Sequence, residues 1–323
     1  MPLAAPNRPF LDWTIETDPE LWTPADAAVI GLPFSQHYPG EARPNDQAGA
    51  PEAIRRQSGQ FCDGSQHWDF DIGAPLAHIL PAGGRDAGNL VEAGNDFDAH
   101  FNQSVDTLKR LLVTSRFVAV LGGDHGVTIP VLSALEVLGR PLHIVQIDAH
   151  IDWRDEVRGA SRGYSSPMRR ASELPWVSGI TQIGIRGTGS ARAEEVQAAR
   201  DHGATIFTAH QIHDEGLAPV LQHLAGRGPF YLTVDADGFD PSVMPAVLGP
   251  VPGGLGFGQV RRILRHLAAE GGLKGMDIVE VAPSIDLPNA ITSVTAGRLV
   301  INALGAALVE GWRSGRDGPP VGE

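Results

Sequence analysis

Residues 116–121 read RFVAVL and run straight into GGDHG at 122–126, and residues 143–147 read HIVQI and run into DAHID at 148–152. Each is a short apolar, β-rich stretch that stops at a cluster of glycine or charged residues, and the segment between them, 127–138, carries its apolar residues at helical spacing. Strand, helix and strand in succession form a crossover unit, which requires the two strands to run parallel. Working outward, residues 27–32 (AAVIGL, ended by Pro33) predict an earlier strand. Residues 180–185, 205–207, 230–234 and 276–281 predict later ones. Helices are expected at 51–58, where Pro51 occupies a first turn and costs no hydrogen bond, and at 95–112, 192–202, 217–224, 257–269 and 292–310. Strands alternating with helices over most of the length predict a three-layer αβα fold around a mainly parallel sheet. No low-complexity linker or repeat divides it, so residues 27–313 are read as one domain, preceded by a proline-rich arm at 1–26 and followed by a flexible, turn-forming tail at 314–323.

Composition narrows the function. The 323 residues include 38 Asp+Glu against 25 Lys+Arg, a formal charge of −13, so the basic footprint of a nucleic-acid or anionic-membrane partner is missing. The opening MPLAAPNRPFLDW has neither a basic start nor an apolar core, and no uncharged apolar run approaches the ~18 residues that span a bilayer. A cytoplasmic location without membrane contact is expected. The single cysteine, Cys62, can form no internal disulfide and no thiolate cluster, so any metal must be held by oxygen and imidazole.

Chemistry collects where strands end, the place at which open parallel sheets bind ligands. Asp124 and His125 follow the first strand quoted, and Asp148, His150 and Asp152 the second. Asp235 and Asp237 follow FYLTV, and Glu280 lies near the end of MDIVEV. Extended backbone sends alternate side chains to one face, so Asp148, His150 and Asp152 can point together, as can Asp235 and Asp237. Carboxylates packed so closely repel and need a compensating cation. Two divalent ions balance four aspartates, and oxygen with some imidazole suits Mn²⁺. Taken singly, each motif has a plainer reading: GGDHG as a tight loop with a capping acid, DADGFDP as a capped turn, Glu280 as a structural ion pair. Their coincidence at four strand ends favours a binuclear site.

GGDH, DAHID, DADGFDP and GMDIVE, in this order and at these separations, resemble the arginase/agmatinase ureohydrolases, and more closely the agmatinase-like branch. The resemblance implies an eight-stranded parallel sheet, a dimanganese centre and hydrolysis of a guanidino group to urea and an amine. It also implies that His125, Asp148, Asp152 and Asp235 hold one ion and His150, Asp148, Asp235 and Asp237 the other. Glu280 would then pin the substrate cation, and Asp152 would give a proton to the leaving nitrogen. Homotrimers or homohexamers are the usual assemblies, and some relatives use nickel. Two stretches depart from the pattern. The segment usually read F-x-H-G-x-x-F is here GYSSPMRRA, with Tyr164 or a neighbouring serine in place of the histidine, and residues 244–254, MPAVLGPVPGG, replace a small polar loop with an apolar one. Val247 and Leu248, with Tyr164 and His37 of the GLPFSQHYPGEARP loop, become candidate substrate contacts. An apolar wall suits a compact guanidine, alkylguanidine or biguanide, the alternative being agmatine or a guanidino acid. From other classes, a noncatalytic subunit paired with an active homologue and a single-zinc deacetylase remain alternatives, to be separated by metal stoichiometry.

Overall fold

The computed structural model describes residues 3–35, 38, 46–59, 66–91 and 97–310; His37, Cys62 and the tail at 314–323 lie outside these. Its strands are β1 (Thr14–Ile15), β2 (Ala25–Leu32), β3 (Trp68–Asp69), β4 (Ala74–Pro75), β5 (Gly84–Asn89), β6 (Ser115–Gly122), β7 (Leu142–Ile147), β8 (Val177–Ile185), β9 (Thr205–Thr208), β10 (Phe230–Asp235) and β11 (Leu273–Val279). The pair β3 and β4 forms a small antiparallel ribbon. The other nine make one sheet in the order β1-β5-β2-β6-β11-β10-β7-β8-β9, parallel at every junction. The ninth strand beyond the expected eight is the two-residue β1 at the edge.

The period of two along each strand divides the core between two faces. In β6, Phe117, Ala119 and Leu121 enter one apolar cluster while Val118 and Val120 enter the other, and in β2 Ala27 and Val29 part in the same way from Ala28, Ile30 and Leu32. Helices Ala50–Ser58, Phe257–Glu270 and Ile291–Gly305 cover the first face through Ile54, Ile263, Leu267, Leu299 and Leu304. Helices Phe97–Thr114, Thr128–Ala134 and Ala193–His202 cover the second through Leu108, Leu111, Leu132 and Ala199. The stretch Ile291–Val309 is long and apolar enough to cross a membrane by composition, yet 78% of it is buried within the fold.

The proline-rich arm is laid against the sheet edge. Phe10 and Leu11 are buried, the Phe10 N–H donates to Asp86 Oδ2 at 2.8 Å and the Leu11 N–H to Ser58 Oγ at 2.9 Å.

Connectivity positions the site. After β6 the chain crosses to β7, leaving a gap of two places that β10 and β11 later fill, so β6, β11, β10 and β7 are consecutive at the centre. All four run parallel, and their carboxyl ends share one rim at the reversal of strand order, where a crevice opens.

Candidate functional site

Local constraints aim each side chain at this rim. Gly123 follows β6 where a β-carbon would fall 1.8 Å from the Phe34 carbonyl oxygen, so only glycine lets the two chains touch. Asp124 turns away to accept the Gly126 N–H at 2.9 Å, which leaves His125 facing inward. Thr233 Oγ1 gives its one hydrogen to Asp277 Oδ1 at 2.6 Å and so accepts from His125 Nε2 at 2.9 Å; Tyr231 holds the other Asp277 oxygen at 3.0 Å. This chain orients the ring, with Nε2 on the threonine and Nδ1 facing the acids.

His125 Nδ1 lies 2.8 Å from Asp152 Oδ2, 3.2 Å from Asp148 Oδ2 and 3.4 Å from Asp235 Oδ2, and it is fully buried without a hydrogen bond of acceptable geometry. His150 Nδ1 lies 3.4 Å from Asp148 Oδ1 and 3.1 Å from Asp237 Oδ2. Asp148 therefore offers one oxygen to each of two groups, His125 with Asp235 and His150 with Asp237, each compact enough to hold a metal ion. Main-chain donors tie the acids down: Asp235 Oδ1 accepts from Asp237 N at 2.8 Å and Asp237 Oδ1 from Ala149 N at 3.1 Å, while Gln146 Nε2 reaches Asp148 Oδ2 at 2.6 Å.

Burial, reinforced by neighbouring carboxylates, pushes Asp235 and Asp237 above the usual carboxylate range and Asp152 to about 7. Burial would lower His150, but Asp148 and Asp237 outweigh it and raise the ring to about 12. Left to itself, the cluster must retain protons to offset its own charge. Burial would lower His125, but Asp148, Asp152 and Asp235 outweigh it and hold the ring well above its ordinary value, so a proton sits where the acids converge. A divalent cation in its place relieves the same crowding of charge, and the donor set of oxygen and imidazole fits Mn²⁺ or Ni²⁺.

Above the cluster lies a cavity of about 600 Å³, walled by His150, Asp152, Asp235, Asp237 and Glu280 on the rim and by Leu248, Gly249, Pro250 and Val251 on one side. Glu280 belongs to neither metal group. Its Oε1 accepts the His125 N–H and its Oε2 accepts Gln47 Nε2, both at 2.8 Å, while its own N–H donates to the Gly123 carbonyl at 2.8 Å. Asp152 and Glu280 are non-glycine residues held at positive φ, 46° and 65°.

Tyr164 and Ser165 line the cavity, the Tyr164 ring lying 4.5 Å from that of Tyr38. Leu248 also lines it. Val247 does not: at 3% exposure it packs into the core between the sheet and the helices, because the loop turns its side chain inward before reaching the cavity.

Three features of the site lacked a sequence signal. Gln47 and the loop Thr188, Gly189 and Ser190 join the cavity wall from loops. Arg186, buried beneath, donates to the carbonyls of Gly184 at 3.0 Å, Asp237 at 2.7 Å, Phe239 at 3.1 Å and Val251 at 2.5 Å, so that one guanidinium joins the metal-site turn to the apolar wall.

Comparison with known proteins agrees with this geometry. A family model described as the arginase family matches residues 25–305. The chain is 31% identical to the agmatinase of Sodalis glossinidius (strain morsitans) over 315 residues, which is 95% of this chain and 94% of the relative. It is 37% identical to the N(1)-aminopropylagmatine ureohydrolase of Thermus thermophilus over 209 residues, 64% of this chain and 68% of the relative. Among solved structures, proclavaminate amidino hydrolase from Streptomyces clavuligerus superposes with a TM-score of 0.81 at 27% identity, covering 95% of this chain and 98% of that one.

Proposed function

The chain belongs to the arginase family, and from that premise we propose that it is a cytoplasmic, binuclear metal hydrolase that releases urea from a compact guanidine, alkylguanidine or biguanide. Membership makes it a metal-dependent hydrolase of guanidino C–N bonds; the choice of substrate rests on the cavity. The observation that carries it is Glu280, an acid outside both metal groups yet on the same wall, with each oxygen held by one N–H donor. A flat cation placed in this cavity meets a carboxylate already oriented for it. Among the described residues of the lining there is no lysine or arginine to pair a substrate carboxylate. The far wall, Leu248 to Val251, offers no side-chain charge to a distant ammonium, and leaving such a charge against apolar residues is costly.

His125, Asp148, Asp152 and Asp235 would hold one ion and His150, Asp148, Asp235 and Asp237 the other, manganese or nickel. When bound, the pair supplies an acidified water as nucleophile. The protein's own groups would do the rest: Glu280 would fix the guanidinium plane, and Asp152, which lines the cavity with its Oδ2 2.8 Å from His125 Nδ1, would carry a proton to the departing nitrogen. Assembly into homotrimers or homohexamers fits the exposed Trp68 and Phe70 of the β3–β4 ribbon, 57% and 90% accessible.

A urea-release screen over guanidine, alkylguanidines, biguanides, guanidino acids and agmatine, with manganese and with nickel, tests the proposal. The expected result is urea from a compact substrate with the highest kcat/KM, and none from Asp148→Ala, whose metal content falls below two ions per chain because that acid serves both groups. A best substrate of agmatine or a guanidino acid would overturn the substrate choice, and no urea from any compound would overturn the activity.

A further inference from the structure

The segment Asp46 to Gly49 enters the helix Ala50–Ser58 and lies across the loop that follows β11. Two bonds hold it there. Asp46 Oδ2 accepts the Ser284 N–H at 2.6 Å, and Gln47, 2% exposed and part of the cavity wall, donates from Nε2 to Glu280 Oε2 at 2.8 Å. The first joins loop to loop; the second ends on an acid of the cavity wall.

We propose that Gln47 is a positioning residue for guanidinium recognition, acting by locking the plane of the Glu280 carboxylate. The inference deepens the functional proposal above and rests on it. A glutamate side chain has three rotatable bonds, and a bidentate pair with a planar cation needs both oxygens in one plane. The His125 N–H fixes Oε1, but a carboxylate held at one oxygen still turns about that bond. Gln47 supplies the second point, at Oε2, from an element 233 residues away in sequence. With one donor on each oxygen, one lone pair on each stays available to a flat ligand in the cavity. A hydrogen bond to a charged acceptor of this kind corresponds to about 10-fold or more in affinity.

The test uses metal-loaded full-length protein, methylguanidinium as probe and calorimetry for affinity, with metal content and Tm measured on each variant. Gln47→Met keeps the length and removes the donor. The expected result is about 10-fold or greater weakening of methylguanidinium with two ions still bound, and a rise in KM for the best urea-yielding substrate that exceeds any fall in kcat. Asp46→Ala cuts the neighbouring bond to Ser284 and should lower Tm while leaving affinity within about twofold. In a Glu280→Gln background, Gln47→Met should change affinity by less than about twofold, since the residue through which it acts is already altered. Wild-type affinity in Gln47→Met, or an equal loss in both backgrounds, would overturn the proposal while urea release by wild type leaves the functional assignment standing. A wild type that neither binds methylguanidinium nor releases urea from any guanidino compound would overturn both.

Discussion

Glu280 is held at φ 65°, a left-handed conformation that costs a non-glycine residue on the order of 1 kcal/mol, and Asp152 is held at 46°. Both lie on the cavity wall. Strain of this kind persists only where surrounding bonds over-determine it, and here they are the Glu280 N–H to Gly123 and the Met168 and Arg169 N–H groups, each 3.2 Å from the Asp152 carbonyl. Glu280 follows directly on β11 and, in this conformation, lines the cavity. Its charge, more than its shape, should matter. Glu280→Gln keeps the volume and one acceptor oxygen but leaves a buried guanidinium without a counter-charge, an omission of about 3–5 kcal/mol. The expected outcome is a fall of about 10²- to 10⁴-fold in kcat/KM with metal content unchanged at two ions per chain. A structural ion-pair role would instead lower Tm and spare turnover, so kinetics and melting measured on one preparation separate the two.

At the scale of elements, Arg186 shows how a site is held from behind. Its donors reach the Asp237 and Phe239 carbonyls of the turn after β10 and the Val251 carbonyl of the apolar wall. Arg186→Met leaves these buried acceptors unpaired, at a cost of about 3 kcal/mol or more, and frees the wall from the metal-site turn. Melting several degrees lower is expected, together with a weakened preference for compact substrates in the urea-release screen; Arg186→Lys should recover part of the stability, since an ammonium reaches fewer of those carbonyls. The same scale shows what the residues reveal unaided. Strands β6, β7 and β10 are legible because they are buried on both faces and read as apolar runs, and the six metal-ligand candidates are legible because each follows such a run. Strand β5 reads GRDAGN and resembles a loop, yet Asp86 within it is fully buried because Arg55 answers it from the helix Ala50–Ser58, at 2.8 Å and 2.9 Å. A buried polar strand is intelligible only with its partner, and that partner lies 31 residues away. Gln47 and Thr188 escaped for the same reason: their place on the cavity wall follows from the crossovers that bring distant loops to one rim. Val247 and Leu248 illustrate the converse, as adjacent apolar residues of which only one faces the cavity.

Across the whole molecule, the central strand β7 treats charge oppositely at its two ends. Its carboxyl end joins acids that call for cations, whereas its far end buries a histidine that no acid among the described residues pairs with. His143 is 5% exposed, its Nε2 lies 2.8 Å from Thr181 Oγ1, and Thr181 Oγ1 lies 3.1 Å from His223 Nε2. Burial, followed by the positive influence of His223 and Arg227, lowers the His143 ring from 6.5 to about 4. A depressed histidine is neutral in the fold but takes up a proton on unfolding at any pH between those two values. The unfolded chain then binds more protons than the native one, so stability rises with pH across this window. The contribution is complete above pH 6.5 and disappears as pH falls toward 4, and the interval corresponds to about 3 kcal/mol. The metal cluster also loosens in acid, because its ligands must be deprotonated, so wild type alone cannot isolate the effect. Comparison with His143→Gln does, since that amide can still pair with Thr181 and does not titrate. The stability difference between the two proteins should shift by about 3 kcal/mol in favour of the variant when thermal unfolding is compared at pH 7 and pH 4, the cluster's own acid sensitivity cancelling between them. A difference that stays constant with pH would mean that His143 is protonated in the native fold as readily as in the unfolded chain, and that the far end of the sheet is open to water.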